Sequence, residues 1–367
     1  MALTPEQKRH MTNLLKLEGA VQVGSDARDP FAFGIDTPSP SFNFCFDNTW
    51  LLPDGYTMLM GGPPKGGKSI LINAIEGRMH QADENAVSFK INTEMRESVQ
   101  VTPAQKKLWG IDDGRRIVYE VREPANIFDR IEQEIPKLVQ AGIKVRLVII
   151  DSLNDIIGRR TLNADSVDQQ QIADRAATIQ DGLSRIKGVL RRNGVSLILT
   201  TQVRTEMDQL EQKRGNKLRL AVSWAVKHQA EYFFLVERFM NKEGKTDMQG
   251  NKYEDTSVQG LDDEADERAH QIRVTCQDNS LGRPGRVGIF TLDHDLGVIN
   301  SHEEVYRLGK GFGVLTSAKQ GYYTYGERTW HGEGATLEAI KGEPELYASI
   351  LRDCKSKDLI RTRGTVG

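Results

Sequence analysis

The chain has 367 residues, 38% of them hydrophobic, and a formal net charge of -2. That is enough apolar material for one large core with smaller appendages, and the near-neutral balance excludes wholesale electrostatic attachment to nucleic acid, leaving only local basic patches. Cys45, Cys276 and Cys354 are scattered without metal-ligand spacing, which excludes a zinc site or disulfide frame and reads as ordinary thiols in a reducing compartment.

The first residues carry no signal-peptide pattern, and no apolar run is long enough to cross a bilayer. A cytoplasmic protein without membrane contact is therefore expected. Thr4 to Leu17 reads as a helix, with Thr4 as N-cap and Pro5 in the first turn. Ser25 to Ser41, rich in Pro, Ser and Asp, reads as a linker, and Phe42 to Phe46 as an extended or mixed segment. This divides the chain into an N-terminal helix and linker over 1–37, a core over 38–300 and a C-terminal lobe and tail over 301–367.

The apolar run Tyr56 to Met60 is followed by Gly62-Pro63-Pro64-Lys65-Gly66-Gly67-Lys68-Ser69 and then by the helix-like Ile70 to Ile75. Strand, glycine-rich loop and helix in that order are the setting of a phosphate-binding P-loop. Backbone N–H groups of the loop converge on one anion, and the helix N-terminus adds a favourable dipole. Lys68 is expected to reach the β- and γ-phosphates, and the Ser69 hydroxyl to hold Mg²⁺. With both flanks in place, an ordinary Gly/Pro turn is the lesser reading, and a nucleoside triphosphate is the expected ligand of Gly62 to Ile70.

Beyond the loop, strand-like and helix-like segments alternate. Ala86 to Ile91, Ile117 to Val121, Val145 to Asp151 and Val195 to Thr201 read as strands, and Ile127 to Ala141 and Ile172 to Arg191 as helices. The expectation is an α/β core on a mostly parallel sheet. Tyr232 to Arg238, Ile272 to Cys276 and Val287 to Leu292 read as antiparallel strands extending it. Asn241 to Glu267, polar and acidic, reads as a solvated insertion. From Ser301 onward a small α/β appendage is expected, with an aromatic hairpin at Gly321 to Gly326, a helix over Pro344 to Lys355 and a frayed end from Asp358.

Two carboxylates fit nucleotide chemistry. Asp151 ends an apolar strand, where an NTPase holds the water shell of its metal; a strand-ending Asp that caps a turn is the competing reading. Glu94 lies just past the strand Ala86 to Ile91, placed to polarise a water that attacks the γ-phosphate. Glu97 is the alternative, and Glu94 is favoured because it is nearer the carboxyl end of the strand, where open α/β sheets bind ligands. Gln202 closes the strand Val195 to Thr201, where an amide can donate to a γ-phosphate oxygen; taken alone, an exposed Gln is the plainer reading.

The order Gly62…Lys68-Ser69, Asn92-Thr93-Glu94, Leu147 to Ser152 and Leu199 to Arg204 resembles the RecA recombinase family, including its phage-encoded UvsX-type members. The resemblance continues through Tyr306-Arg307-Leu308-Gly309, Gly321 to Glu327 and Gly332-Glu333-Gly334, which are similar to the C-terminal lobe of that family. It implies a RecA-like P-loop ATPase core that holds ATP and Mg²⁺ at protomer interfaces, forms helical filaments on single-stranded DNA, and exchanges strands with double-stranded DNA in recombination and repair. It further implies a single-strand-binding protein and a loader as partners, and polymerisation through the N-terminal helix. Two DNA-contacting loops would lie at about Ile157 to Gln171, with Arg159 and Arg160, and at about Val203 to Lys227, with Arg204, Lys213, Arg214, Lys217, Arg219 and Lys227.

The chain departs from the family where lysines near Thr275 to Asn279 would reach the neighbouring protomer's ATP. Thr275-Cys276-Gln277-Asp278-Asn279 stands there, with Arg283 and Arg286 further on. Either those arginines substitute, or the interprotomer contact is weak. A hexameric helicase or translocase shares the core motifs but lacks the aromatic C-terminal block; a recombination mediator that binds ATP and DNA without exchanging strands is the third reading.

Overall fold

The computed structural model describes residue 4 and residues 33–96, 101–159, 172–205, 218–220, 224–238, 269–317 and 320–363. Gly34–Gly367 clusters as one compact unit, distinct from Met1–Phe33. The N-terminal helix expected over Thr4 to Leu17 and the insertion Asn241 to Glu267 fall outside the described residues, Thr4 excepted.

The expected linker is already part of the fold by its second half. β1 (Gly34–Ile35) pairs with β2 (Leu52–Pro53), and Thr37, Ser39 and Ser41 are buried. Phe42 to Phe46 is not extended: α1 spans Pro40–Cys45. Its cause is local, since the Ser39 hydroxyl accepts from Phe42 N at 3.0 Å and Pro40 occupies the first turn. The helix carries Phe42 onto Phe234 and Phe290, and Phe46 onto Tyr232.

The core alternates as its apolar runs require. β3 (Thr57–Gly62), α2 (Lys68–Ala82), β4 (Ala86–Asn92), α3 (Pro103–Trp109), β5 (Arg116–Glu120), α4 (Arg130–Gln140), β6 (Lys144–Asp151), α5 (Ile172–Arg192) and β7 (Ser196–Thr205) follow in order. β8 (Leu218–Leu220) pairs back on β7, and α6 (Trp224–Lys227) leads to β9 (Tyr232–Arg238), β10 (Ala269–Asn279), β11 (Val287–Asp293) and β12 (Gly297–Ile299). One sheet runs β12-β11-β10-β9-β3-β7-β6-β4-β5. β9 lies parallel to β3, not antiparallel as its period-two pattern suggested; β10, β11 and β12 follow it in antiparallel pairs, and β8 is antiparallel to β7. The fold is α/β with a large, mostly parallel sheet.

One face of the sheet packs on α4 and α5. There Phe89, Ile91, Val148, Ile150, Leu197 and Leu199 join Phe128, Ile131, Ile179, Leu183 and Ile186 in one apolar cluster. Facing α2, alternate residues of β4 are polar. Ser88 donates to Glu76 at 2.5 Å, Lys90 to Asn73 at 2.7 Å, and Arg116 closes a two-bond pair with Glu76 at 2.9 Å. A buried cation is tolerated there because such partners offset its desolvation.

The C-terminal lobe comprises α7 (Ser301–Gly311), the hairpin β13 (Tyr322–Tyr325) and β14 (Arg328–His331), α8 (Gly332–Gly342) and α9 (Pro344–Arg363). Its side chains gather round Trp50 from the core, with Val305, Tyr306, Leu315, Ile340, Ile350 and Cys354. The expected frayed end is instead helix through Arg363, because Asp358 is buried and accepts from Trp50 Nε1 at 2.7 Å and from Arg286 at 2.6 and 2.9 Å. Residues 364–367 fall outside the described residues.

Two stability predictions arise here. Asp358→Ala leaves Trp50 Nε1 without its acceptor and Arg286 with Asp47 as its remaining carboxylate and the Phe44 carbonyl at 3.0 Å. That places the loss at the lower end of the range for a broken buried pair, about 3 kcal/mol in urea unfolding; a loss under about 0.5 kcal/mol would contradict it. The second concerns Glu304, which accepts from Ser39 Oγ at 2.6 Å and Ser41 N at 2.9 Å. Burial pushes its carboxyl up to about 7, against those two donors, from an ordinary 4.5. The folded state thus binds the proton more tightly: its stabilisation is complete below about pH 4.5 and is lost as pH rises through about 7. Glu304→Gln, which does not titrate, should gain on the wild type across that window by an amount on the order of 3 kcal/mol. A difference in unfolding free energy that stays flat with pH would refute the assignment.

Candidate functional site

The parallel strands bring four segments together at their carboxyl ends. Gly62 sits opposite Gln202 between β3 and β7, and Asn92 opposite Asp151 between β4 and β6. The loop Pro63 to Gly67 therefore stands beside the ends of the strands that carry Glu94, Asp151 and Gln202.

Backbone constraints shape that loop. Gly66 N donates to Pro63 O at 3.2 Å, and Lys65 and Gly67 take φ of 58° and 85°. Gly62 allows the chain to pass close over β9: a Cβ there would lie 2.4 Å from Val236 O. Gly67 is the N-cap of α2 with no side-chain cap, so the first N–H groups of that helix are offered to a ligand, an arrangement suited to anions. Pro64 and Lys65 are exposed, whereas Ser69 and Ile70 in the first turn are half-buried.

Lys68 is buried and donates from Nζ to Gly62 O at 2.9 Å and Pro63 O at 2.8 Å. Burial lowers its pKa, while Asp151 and Glu94 are near enough to act on it and pull it back up. One ammonium and two carboxylates thus share one electrostatic neighbourhood.

Backbone and hydroxyl bonds hold the carboxylates in place. Thr200 Oγ1 donates to Asp151 Oδ1 at 2.5 Å, and Thr93 N donates to Asp151 O at 2.8 Å. Thr93 Oγ1 donates to Ser152 O at 2.6 Å and accepts from Ser152 N at 2.8 Å. Glu94 N donates to Asn92 Oδ1 at 3.0 Å, and Arg122 Nε to Thr93 O at 2.9 Å. Gln202 N and Thr201 Oγ1 both donate to Asn154 Oδ1, at 2.8 and 3.0 Å. The residue types suit phosphate and hard-cation chemistry: Ser69 and Asp151 supply oxygen donors of the kind Mg²⁺ takes alongside phosphate and water.

Several expected residues lie elsewhere. Arg283 and Arg286 sit in the β10–β11 turn, at the end of the sheet opposite the phosphate loop, because β10 runs antiparallel to β9. Arg286 is held inside by Asp47 and Asp358 and stacks on Phe44, so its charge is spent internally. Arg283 has a 64% exposed side chain and borders a groove of about 690 Å³ with Phe44, Arg307 and Phe312. Lys227, expected on a DNA loop, ends α6, pairs with Asp278 at 3.1 Å and lies over Phe233. Arg204 and Arg219 are backbone partners in the β7–β8 register. Arg159 is exposed, its N–H donating to Thr178 Oγ1 at 3.3 Å. Arg160, Lys213, Arg214 and Lys217, like the alternative base Glu97, fall outside the described residues.

Residues without a sequence signal also enter the site. Thr93, Arg122, Asn154 and Thr200 position the strand ends; Thr93 and Thr200 stood inside quoted motifs without being singled out, and Arg122 and Asn154 did not. His270, at the start of β10, lies beneath the loop, its Nε2 3.9 Å from where a Gly67 Cβ would be. Burial, with Arg238 and His294 beside it, lowers its pKa to about 4. No protein-family model matches the sequence, and no curated protein matches it significantly.

Gly67→Ala should expose the loop's dependence on its left-handed turn. The added Cβ would come 2.5 Å from Leu292 Cδ2 at a φ of 85°. A loss of about 1–2 kcal/mol in urea unfolding is expected; an unchanged midpoint would mean the turn relaxes at no cost.

Proposed function

We propose that the chain is an ATP-dependent DNA recombinase with a RecA-like core, forming filaments on single-stranded DNA and promoting pairing and strand exchange with double-stranded DNA in recombination and repair. The observation that carries the nucleotide part is the convergence of Lys68, Asp151 and Glu94 under the Gly62–Ser69 loop. The recombinase part rests on the resemblance of the motifs and of the C-terminal block to the RecA family.

In this reading the loop N–H groups and Lys68 bind the triphosphate of ATP. Ser69 and Asp151 would hold Mg²⁺, which when bound would supply positive charge against the triphosphate. Glu94 polarises the attacking water, and the Gln202 amide senses the terminal phosphate at the strand end that leads towards the second DNA loop. Arg159, Arg204 and the basic residues that follow supply phosphate contacts to DNA, so binding weakens as salt rises. Lys227 and Arg286, already paired within the fold, are left out of this set.

ATP turnover with and without single-stranded DNA tests the reading. Lys68→Ala should abolish turnover. Glu94→Gln should cost about 10²–10⁴-fold in kcat while keeping DNA binding, as expected for loss of a general base. Unchanged turnover in the Lys68 variant would end the proposal. Negative-stain images on single-stranded DNA should show helical filaments, closed rings pointing to a translocase instead. DNA-bound, ATP-hydrolysing protein that fails a strand-exchange assay would mark a mediator.

A further inference from the structure

The ladder between β6 and β7 stops at Ile150 opposite Leu199. Beyond it β7 continues, paired on its other side with β3 as far as Gln202 opposite Gly62. Among the described residues, the β6 side of β7 is therefore without a strand partner from Thr200 to Gln202, before β8 pairs at Val203. Side chains from the last residue of β6 and the segment after it take over. Asp151 accepts from Thr200 Oγ1 at 2.5 Å, and Asn154 accepts from both Thr201 Oγ1 at 3.0 Å and Gln202 N at 2.8 Å. One amide oxygen thus does for Gln202 what a strand carbonyl does elsewhere in the sheet.

Asn154 is also anchored from behind. Its carbonyl accepts from Arg175 Nη1 of α5 at 3.0 Å, and nearby Ile157 N donates to Arg122 O at 3.1 Å, while Arg122 Nε holds the Thr93 carbonyl. Hydrogen bonds tie the backbone beside Glu94 to Asp151–Ser152, the short chain from Ser152 leads to Asn154, and Asn154 bonds the backbone of Gln202.

Resting on the ATPase reading above, we propose that Asn154 is a positioning residue for ATP hydrolysis: it fixes the Gln202 end of β7 to the Asp151 segment, so that the Gln202 amide and the Asp151 carboxylate are presented to the triphosphate in one fixed relation. Asn154 itself touches no reacting atom in this scheme. Its effect falls on the geometry of the chemical step and not on ground-state binding, which the loop N–H groups and Lys68 dominate. Misplacement of about 1 Å by a supporting residue costs up to about 10²-fold in rate. The loss should appear in kcat with KM for ATP little changed.

The test measures steady-state ATP turnover of the full chain with single-stranded DNA for wild type, Asn154→Ala, Asn154→Asp and Thr201→Val, each checked by far-UV circular dichroism and thermal melting. Asn154→Ala should lower kcat by about tenfold or more with KM within about twofold. Asn154→Asp, which keeps the acceptor oxygen, should restore kcat to within about threefold of wild type. Thr201→Val removes one donor while preserving shape and should slow turnover in the same sense by a smaller factor; it carries the test should Asn154→Ala fail to fold. A kcat for Asn154→Ala within about twofold of wild type, or an Asn154→Asp enzyme as slow as the alanine variant, overturns the inference while the ATPase reading stands. Absence of turnover in the wild type overturns the reading and the inference with it.

Discussion

A single buried ammonium organises this molecule's most chemically loaded corner. Lys68 is pulled under the loop by the Gly62 and Pro63 carbonyls and steadied by Asp151 and Glu94. Such a cation is costly to bury, and it is tolerated only because acceptors and opposite charges surround it. Those partners arrive from β3, β4 and β6, three strands far apart in sequence. The parallel sheet is what makes them neighbours: each strand ends at the same edge, and each turn there adds one functional group.

The parts of this arrangement that could be read from sequence were those with a local signature. The loop has its glycine spacing, and β4, β6 and β7 have apolar runs long enough to mark them as buried strands. Asp151 and Glu94 were readable because each follows such a run within a few residues. The direction of β9 was not, since its alternating pattern fits an antiparallel strand equally well and only the pairing with β3 decides it. α1 was hidden by its aromatic composition, which suggested an extended segment, although the Ser39 cap and Pro40 were in plain view.

Charge was the least legible property. Arg286 stands in the sequence as a candidate for the neighbouring protomer's ATP and Lys227 as a candidate DNA contact, yet each is consumed by carboxylates distant in sequence: Arg286 by Asp47 and Asp358, Lys227 by Asp278. Asn154 shows the converse. An amide in an unremarkable loop becomes structural once β6 ends before β7 does, and no local pattern announces a mismatch in strand length.

The corner where Asp358 meets Trp50 and Arg286 carries a consequence for synthesis. Residues 47–50 leave the ribosome well before Pro344–Arg363, the helix that completes their surroundings. Until Pro344–Arg363 emerges, the Trp50 indole N–H lacks its Asp358 partner, and the apolar cluster around it lacks one wall. The nascent chain must therefore carry an unfinished apolar face until that helix emerges, a stage at which chaperone capture competes with closure.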